Sequence, residues 1–261
     1  MNSPPRPIFD AHLHIIDERF PLVANAGYLP PQFTAGAYRA AVAPLSVRGG
    51  AIVSGSFQAL DQSYLRDALD RLGPTFVGVT QLPRTTEDAE IRDLDRCGVR
   101  AVRFNLRRGG SEGIEALEEM AERVYALVGW HAEFYADARE LGDLVPRLCA
   151  LPQIVIDHLG LSAEGLPIVL ELVAAGAKVK ATGFGRIAFD VATALRAIAD
   201  IDPHALIFGT DLPSTRAPRP FAATDVALVV NALGEERARL ALYDNAVALY
   251  RPRETADRAT V

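Results

Sequence analysis

The segment Ile8-Phe9-Asp10-Ala11-His12-Leu13-His14-Ile15 has the length and the aromatic and β-branched content of a buried strand, although it carries two histidines. Seven further apolar runs of strand length follow it along the chain, so the sequence predicts eight strands. The other seven are Ala51–Phe57, Phe76–Gln81, Val99–Leu106, Ala132–Ala136, Ile154–His158, Lys178–Thr182 and Ala205–Gly209.

Helical patterns fill the intervals between these strands. Strands that alternate with amphipathic helices indicate parallel βαβ units. Eight of them favour a closed (β/α)8 TIM barrel over an open doubly wound sheet, which usually has five or six strands. We predict one domain over residues 1–261, with an ordered core from about residue 7 to residue 251. The predicted helices are Tyr64–Leu72, Thr86–Cys97, Ile114–Leu127, Arg139–Leu148, Leu166–Ala175 and Val191–Ile201.

The segments outside this alternation also carry information. The first connection, residues 16–48, is long and rich in proline and aromatic residues, and a loop of that length is more often functional than idle. Residues 221–250 have the pattern of two closing helices, and residues 251–261 are expected to be a frayed tail.

Composition restricts the partners. A net charge of −6 argues against a nucleic-acid partner, because phosphate binding needs a basic surface. No apolar stretch approaches the ~18 residues of a membrane span, and residues 1–7 lack the apolar core of a signal peptide. We therefore expect a cytoplasmic protein that acts on a small molecule; a homo-oligomer is open, since no pattern decides it. Cys97 and Cys149 are expected to be buried free thiols.

The histidines of the first predicted strand are the sharpest local signal. Strand side chains alternate between faces, so His12 and His14 point the same way, about 7 Å apart. The same alternation places Asp10 on that face, and Phe9, Leu13 and Ile15 on the face toward the helices. Imidazoles inside a barrel need partners, since a buried unpaired polar group costs about 1–3 kcal/mol. A metal site or an oxyanion-binding pair is indicated; the alternative is a pair of ordinary histidines on a surface strand.

Two further polar side chains end predicted strands. His158 ends one apolar strand, and Asp211 follows the last one directly before a proline. Barrel enzymes keep their catalytic side chains at these carboxyl ends. We predict that Asp211 is a general base, that His158 faces the same site, and that Asp157 faces away and holds the loop. The alternatives are a helix-capping histidine and a turn aspartate.

Basic and hydroxyl side chains complete the predicted site. Arg103 and Arg186 lie at strand ends, where guanidinium groups form bidentate hydrogen bonds to carboxylates. An ordinary surface position is the alternative for Arg108. The candidate substrate-binding residues are Arg103, Arg186, Arg108, Tyr135, Tyr28, Ser54 and Ser56.

These motifs together resemble a known family. Phe9-Asp10-Ala11-His12-Leu13-His14, Arg103-Phe104-Asn105, Asp157-His158-Leu159-Gly160 and Gly209-Thr210-Asp211-Leu212-Pro213 have the order and spacing of the amidohydrolase-related family. Within it, the chain is most similar to hydrolases of the 2-pyrone-4,6-dicarboxylate lactonase type. The resemblance implies that Asp211 activates water and that His12, His14 and His158 polarise the carbonyl. It also implies that Arg103 and Arg186 hold substrate carboxylates, with further contacts from Tyr28, Tyr135 and a serine near Ser54 or Ser56.

The sequence departs from the family pattern at two places. Metal-dependent relatives often have a histidine at the end of strand five, where this chain has Tyr135, which weakens a two-metal site. The strand-eight motif often continues with Trp-Pro-His, but here it reads Leu212-Pro213-Ser214. That loop borders the pocket, so the resemblance does not decide which lactone is the substrate.

The resulting hypothesis is hydrolysis of a lactone of a small carboxylated or sugar acid. Either no cofactor is required or one divalent ion, Zn²⁺ before others, is held by His12, His14 and Asp211. One alternative is a metal-dependent decarboxylase of an aromatic or unsaturated acid, which uses a similar set of residues. Another is a barrel that only binds an anionic ligand.

Overall fold

A computed structural model describes residues 6–253. The expectations for residues 1–5 and for the tail at 254–261 lie outside the described residues. The described chain forms eight parallel strands in one sheet, in which each strand pairs with the next along the chain. The strands are β1 (Ile8–Leu13), β2 (Val47–Val53), β3 (Phe76–Thr80), β4 (Val99–Phe104), β5 (His131–Phe134), β6 (Ile154–Ile156), β7 (Lys178–Ala181) and β8 (Leu206–Phe208).

The barrel closes between the end of β1 and the residues that follow β8. The Asp211 N–H donates to the His12 carbonyl at 2.7 Å, and the His14 N–H donates to the Leu212 carbonyl at 2.8 Å. The Asp10 carboxylate adds a side-chain connection, since it accepts from the Thr210 N–H at 2.7 Å. The predicted (β/α)8 barrel is confirmed, and its closure brings the segment that holds Asp211 against the segment that holds both histidines.

Helices surround the barrel and place its main hydrophobic core between the sheet and the helical layer. The first long connection contains a helix that the sequence did not predict, α1, whose Tyr38 hydroxyl donates to Asp10 at 2.9 Å. The two predicted closing helices are found as α8 and α9. The helices are α1 (Ala35–Val42), α2 (Ser63–Leu72), α3 (Asp88–Cys97), α4 (Leu117–Val128), α5 (Val145–Ala150), α6 (Leu166–Ala174), α7 (Val191–Ile201), α8 (Ala223–Arg239) and α9 (Asn245–Tyr250).

The predicted faces of β1 are wrong at its beginning. The pairing of β1 with β2 shifts register between Asp10 and Leu13. Before the shift Phe9 faces the barrel interior, where it stacks on Tyr250 with ring centroids 5.7 Å apart. Asp10 therefore points outward to Tyr38 rather than sharing a face with His12. An irregularity in a strand reverses the alternation that a regular strand would keep.

Strand β2 begins four residues earlier than predicted, at Val47 rather than Ala51. Glycines at positions 49 and 50 hide it from a hydrophobicity pattern, but close contacts explain them. A Cβ at Gly49 would lie 2.4 Å from the Thr75 carbonyl, and one at Gly50 would lie 2.8 Å from the Asp10 carbonyl. Only glycine lets neighbouring chains approach this closely.

The cysteine prediction is also wrong in part. Both residues belong to the ends of helical segments, as expected, but Cys97 is half-buried and Cys149 is exposed. The short helix α5 buries Val145 and Leu148 instead, so the position next to Leu148 faces solvent. None of the helices in residues 6–253 is long and apolar enough to cross a membrane.

Candidate active site

The Asp211 carboxylate is the centre of the site. Asp211 has a left-handed backbone (φ 59°) directly after β8, and its side chain is fully buried. Its Oδ2 accepts from Arg186 Nε at 2.7 Å. Its Oδ1 lies 3.8 Å from His12 Nε2 and 3.7 Å from His14 Nε2 and has no hydrogen-bond partner in the described part of the chain. One oxygen is thus tied to a cation, and the other faces the imidazoles.

The charge state of Asp211 follows from these neighbours. Burial raises the pKa of its carboxyl group, but the charge of the Arg186 guanidinium, whose Nε lies 2.7 Å from Oδ2, is the largest of the effects that lower it. The pKa of Asp211 is therefore held below its ordinary value. Asp211 is ionised at neutral pH and can accept a hydrogen bond from water.

The tautomer of His14 is fixed by its partner. His14 Nδ1 lies 2.7 Å from the Val53 carbonyl oxygen, which can only accept. Nδ1 therefore carries the proton, and the Nε2 of the neutral ring has a free lone pair directed toward Asp211. A neutral His14 accepts a hydrogen bond at Nε2 and does not donate one there.

His12 and His158 pack against each other, with ring centroids 4.8 Å apart. His158 also has a left-handed backbone (φ 51°), and its Nδ1 bonds to Thr182 Oγ1 at 2.7 Å. Burial lowers the pKa of His158 to about 4, against the opposing charge of Asp211. His158 is therefore neutral at pH 7.

Asp157 does not face away from the site, in contrast to the prediction. Its side chain enters the barrel, where Oδ2 accepts from Arg103 Nη2 at 2.7 Å and from Arg103 Nε at 3.1 Å. The left-handed residues that follow it bring His158 to the same side, which a regular strand would not do. Arg103 also donates to the Ser54 carbonyl at 2.9 Å, so much of its capacity to donate is used within the protein.

Two buried charged residues below the histidines were missed by the sequence reasoning. Lys180 Nζ lies 2.5 Å from Glu133 Oε2, 3.4 Å from Asp157 Oδ1 and 3.3 Å from His12 Nδ1. A signal was present, because Lys and Glu are almost never fully buried unless paired. In the predicted strands Lys178–Thr182 and Ala132–Ala136, Lys180 and Glu133 face inward. They therefore had to pair with each other across the barrel.

An arginine-rich pocket opens above these residues. Ser56 reaches it, but Ser54 does not, because the Ser54 hydroxyl bonds to the Tyr64 hydroxyl at 2.6 Å beside β2. Asp211 and His12 lie beneath the pocket rather than in its wall. The lining residues are His14, Tyr28, Gly55, Ser56, Phe57, Arg103, Asn105, Arg108, Tyr135, His158, Arg186, Thr215 and Arg216.

Arg216 was also missed, because it lies in a loop that the sequence assigns to no element. Its guanidinium lies over the Tyr28 ring, 4.4 Å from the centroid, and donates to the Asn25 side chain at 3.2 Å. Burial and the neighbouring charge of Arg108 lower the pKa of Arg216. Neither Arg108 nor Arg216 has a salt bridge within residues 6–253, unlike Arg103 and Arg186. Two cations without carboxylate partners therefore stand at the pocket mouth.

The donor set at the floor is of a type that could hold one divalent metal ion. One ligand atom from each of His12, His158 and Asp211 lies within 4.8 Å of the others. His12 Nε2 and Asp211 Oδ1 are buried and lack partners in the described chain, as open ligand positions would. This group contains His158 where the sequence suggested His14. Two imidazoles and a carboxylate suit Zn²⁺, provided that His12 Nε2 bears no proton.

An eight-stranded parallel barrel with its buried polar site at the carboxyl ends of the strands defines a barrel enzyme. The chain belongs to the amidohydrolase family, whose sequence model matches residues 9–251. The family resemblance noted in the sequence is thereby confirmed.

Individual relatives agree with this membership. A 4-sulfomuconolactone hydrolase from Rhizobium radiobacter is 31% identical over 80% of this chain and 76% of its own length. A 2-pyrone-4,6-dicarboxylate hydrolase from Comamonas testosteroni is 31% identical over 58% of this chain and 51% of its own length. The structure of a candidate 2-pyrone-4,6-dicarboxylic acid hydrolase from Pseudomonas putida superposes with a TM-score of 0.79 at 26% identity. It covers 94% of this chain and 97% of that one.

Proposed function

We propose that this protein hydrolyses a lactone that carries at least one anionic group, with Asp211 as the general base. The observation that supports this most strongly is the unpaired Oδ1 of Asp211, which faces two imidazole nitrogens below an arginine-lined pocket. The names of the relatives support a lactone as the reacting group. Their substrates, a sulfonated muconolactone and a pyrone dicarboxylate, are small anions.

Asp211 and His14 hold the attacking water in this proposal. Asp211 Oδ1 accepts one water proton, and the lone pair on His14 Nε2 accepts the other, since these atoms are 3.7 Å apart. Both hydrogen atoms of the water are then engaged, and its oxygen lone pairs point toward the substrate. General-base assistance of this kind contributes about 10²–10⁴-fold to a rate.

His12 and His158 face the carbonyl oxygen. As water attacks, one proton passes to Asp211, and negative charge develops on the carbonyl oxygen beside His12 and His158. Collapse of the tetrahedral intermediate breaks the bond to the ring oxygen, and Asp211 returns its proton to that oxygen. The lactone and one water thus become one hydroxy acid, with no other reactant.

A bound metal ion would be held by His12, His158 and Asp211. Zn²⁺ held there would supply a Lewis acid, which would lower the pKa of a water beside it to about 7. The anion-binding arginines are the same with or without the ion.

The experiment is a lactone panel that varies the number of anionic groups, assayed with and without a chelator. We expect ring opening of lactones with carboxylate or sulfonate groups, and little turnover of neutral lactones of the same ring size. Product analysis distinguishes the ring-opened acid from CO2, whose release would indicate a decarboxylase instead. If no anionic lactone is opened in the presence or absence of added Zn²⁺, the proposal is wrong.

Arg108 and Arg216 are proposed to bind the outer anionic group of the substrate. Because neither has a carboxylate partner in the described chain, an incoming anion would meet two guanidinium groups whose charge no carboxylate neutralises, although Arg216 also donates to the side chain and carbonyl of Asn25. A hydrogen bond to a charged group contributes about 1.5–3 kcal/mol. Arg216→Ala is therefore expected to lower kcat/KM for a dianionic lactone by about 10- to 100-fold.

The same variant separates anion binding from a general effect on the fold. Turnover of a monoanionic lactone, whose single anionic group would contact only Arg103 and Arg186, should fall much less. Arg92→Ala, an exposed arginine on α3, is the matched control and should leave both substrates unaffected. An equal loss of kcat/KM for both lactones would show that Arg216 does not bind the outer anionic group of the substrate.

A further inference from the structure

Lys180 is a fully buried cation with three polar side-chain atoms close to its Nζ. It extends from β7 into the barrel, where the carboxylates of Glu133 and Asp157 lie 2.5 and 3.4 Å from its Nζ. With Arg103 on the other side of Asp157, this part of the barrel contains two cations and two carboxylates. The proposed hydrolysis does not use this ammonium group.

The ammonium group also contacts His12 directly, 3.3 Å from Nδ1. An ammonium nitrogen has three N–H groups and no lone pair, so it can only donate. His12 Nδ1 must then accept, and in a neutral imidazole the remaining proton is on Nε2. Nε2 is the atom that faces Asp211 Oδ1 at 3.8 Å and has no partner within the described chain.

The opposite tautomer has a weaker set of contacts. A proton on Nδ1 would be directed at Asp157 Oδ1, which is 3.5 Å away and has no hydrogen-bond partner in the described chain, but it would also face the N–H groups of the nearer ammonium. It would leave a lone pair on Nε2 next to the Asp211 carboxylate. Without the ammonium group, a proton on Nδ1 would no longer face its N–H groups, and Nδ1 could donate to Asp157.

We propose that Lys180 is a positioning residue that holds His12 in the tautomer with the proton on Nε2. The Nε2–H group is thereby kept as a donor for the carbonyl oxygen of the substrate, and Nε2 is withheld from a metal ion. The tautomer is independent of the proposed function, whereas the use of its proton rests on that function.

The tautomer is measured on the unmodified protein by NMR of 15N-labelled histidine. The two ring nitrogens of a neutral imidazole differ in chemical shift according to which one is protonated. The His12 signals are identified by their loss in a His12→Asn variant. We expect the proton on Nε2, and a proton on Nδ1 overturns the proposal. Since this experiment needs no turnover, it holds even if no lactone is a substrate.

The variant pair is Glu133→Gln/Lys180→Met against Glu133→Gln alone. The double variant removes one cation and one carboxylate, which preserves the charge balance, and the single variant keeps the contact between Lys180 and His12. Only the double variant should move the His12 proton to Nδ1. Loss of one oxyanion donor lowers kcat by about 10²–10³-fold, and KM should change little, because the arginines of the pocket remain.

Zinc binding provides a readout besides activity. In the double variant Nε2 becomes available, so calorimetry should show tighter Zn²⁺ binding than in Glu133→Gln. The proposal is overturned if the double variant keeps the proton on Nε2 and has the same kcat and the same zinc affinity as the single variant.

If the double variant does not fold, the spectrum of the unmodified protein still decides the tautomer. If unmodified protein opens no lactone but its His12 carries the proton on Nε2, the proposed function fails and the tautomer assignment stands.

Discussion

Asp211→Asn is expected to lower kcat by about 10²–10⁴-fold, which is the contribution of a positioned general base. The amide oxygen of asparagine can still accept from Arg186 Nε, so the side chain keeps its orientation. The amide nitrogen then replaces Oδ1, which is the atom that faces the proposed water. An amide nitrogen cannot take a proton from water, and the base is lost without a change in size.

Steady-state kinetics and substrate binding together test this expectation. Binding of the lactone should persist in Asp211→Asn, since the arginines of the pocket are unchanged. Asp190→Asn is the matched control, because Asp190 caps α7 in an exposed position and asparagine is an equally good cap. Its kcat should equal that of the unmodified protein. An Asp211→Asn variant that turns over at a similar rate would exclude Asp211 as the base.

The alternation of apolar runs and helical stretches was sufficient to predict the barrel. Each apolar run formed a strand, because burial of both faces of a parallel strand leaves a near-continuous apolar sequence. The ends of the strands were predicted less accurately. Strand β6, for example, ends at Ile156, two residues before the end of the predicted run. The polar residues that follow a strand still lie at the same edge of the barrel, so His158 and Asp211 reached the same site.

Side-chain direction was predicted less well than position. The assignments of Phe9, Asp10 and Asp157 assumed regular strands, and each is wrong beside a backbone irregularity. No glycine or proline in the sequence marks the register shift in β1 or the left-handed backbone of His158. Only contacts across the barrel select these conformations, and a single sequence does not display such contacts.

Lys180 and Arg216 were missed for different reasons. Lys180 was predictable in principle, because a charged residue inside an apolar strand of a barrel must find a partner. Arg216 was not, because its loop follows β8 and reaches Tyr28 and Asn25, which are almost two hundred residues away along the chain. The structure thus shows a pocket that is more basic than the predicted pair of clamps.

The buried pair of Arg103 and Asp157 leads to the largest expected effect on stability. Both side chains are at most 3% exposed, and their closest atoms are 2.7 Å apart. Removal of one partner from a buried pair leaves a poorly compensated charge and typically costs about 3–5 kcal/mol. Arg103→Met and Asp157→Asn should each lower the free energy of unfolding by about 3 kcal/mol, measured by urea denaturation.

The double variant Arg103→Met/Asp157→Asn should be destabilised by less than the sum of the two single variants. Lys180 and Glu133 remain as a balanced pair when both partners are removed, so no excess charge stays inside the barrel. Arg147→Met is the surface control, because Arg147 and Glu118 are 40% and 43% exposed. An exposed pair contributes about 0–1 kcal/mol. If the two single changes in the free energy of unfolding simply add, Arg103 and Asp157 stabilise the protein independently of each other. The balance of charge inside the barrel is then not what stabilises the floor of the site.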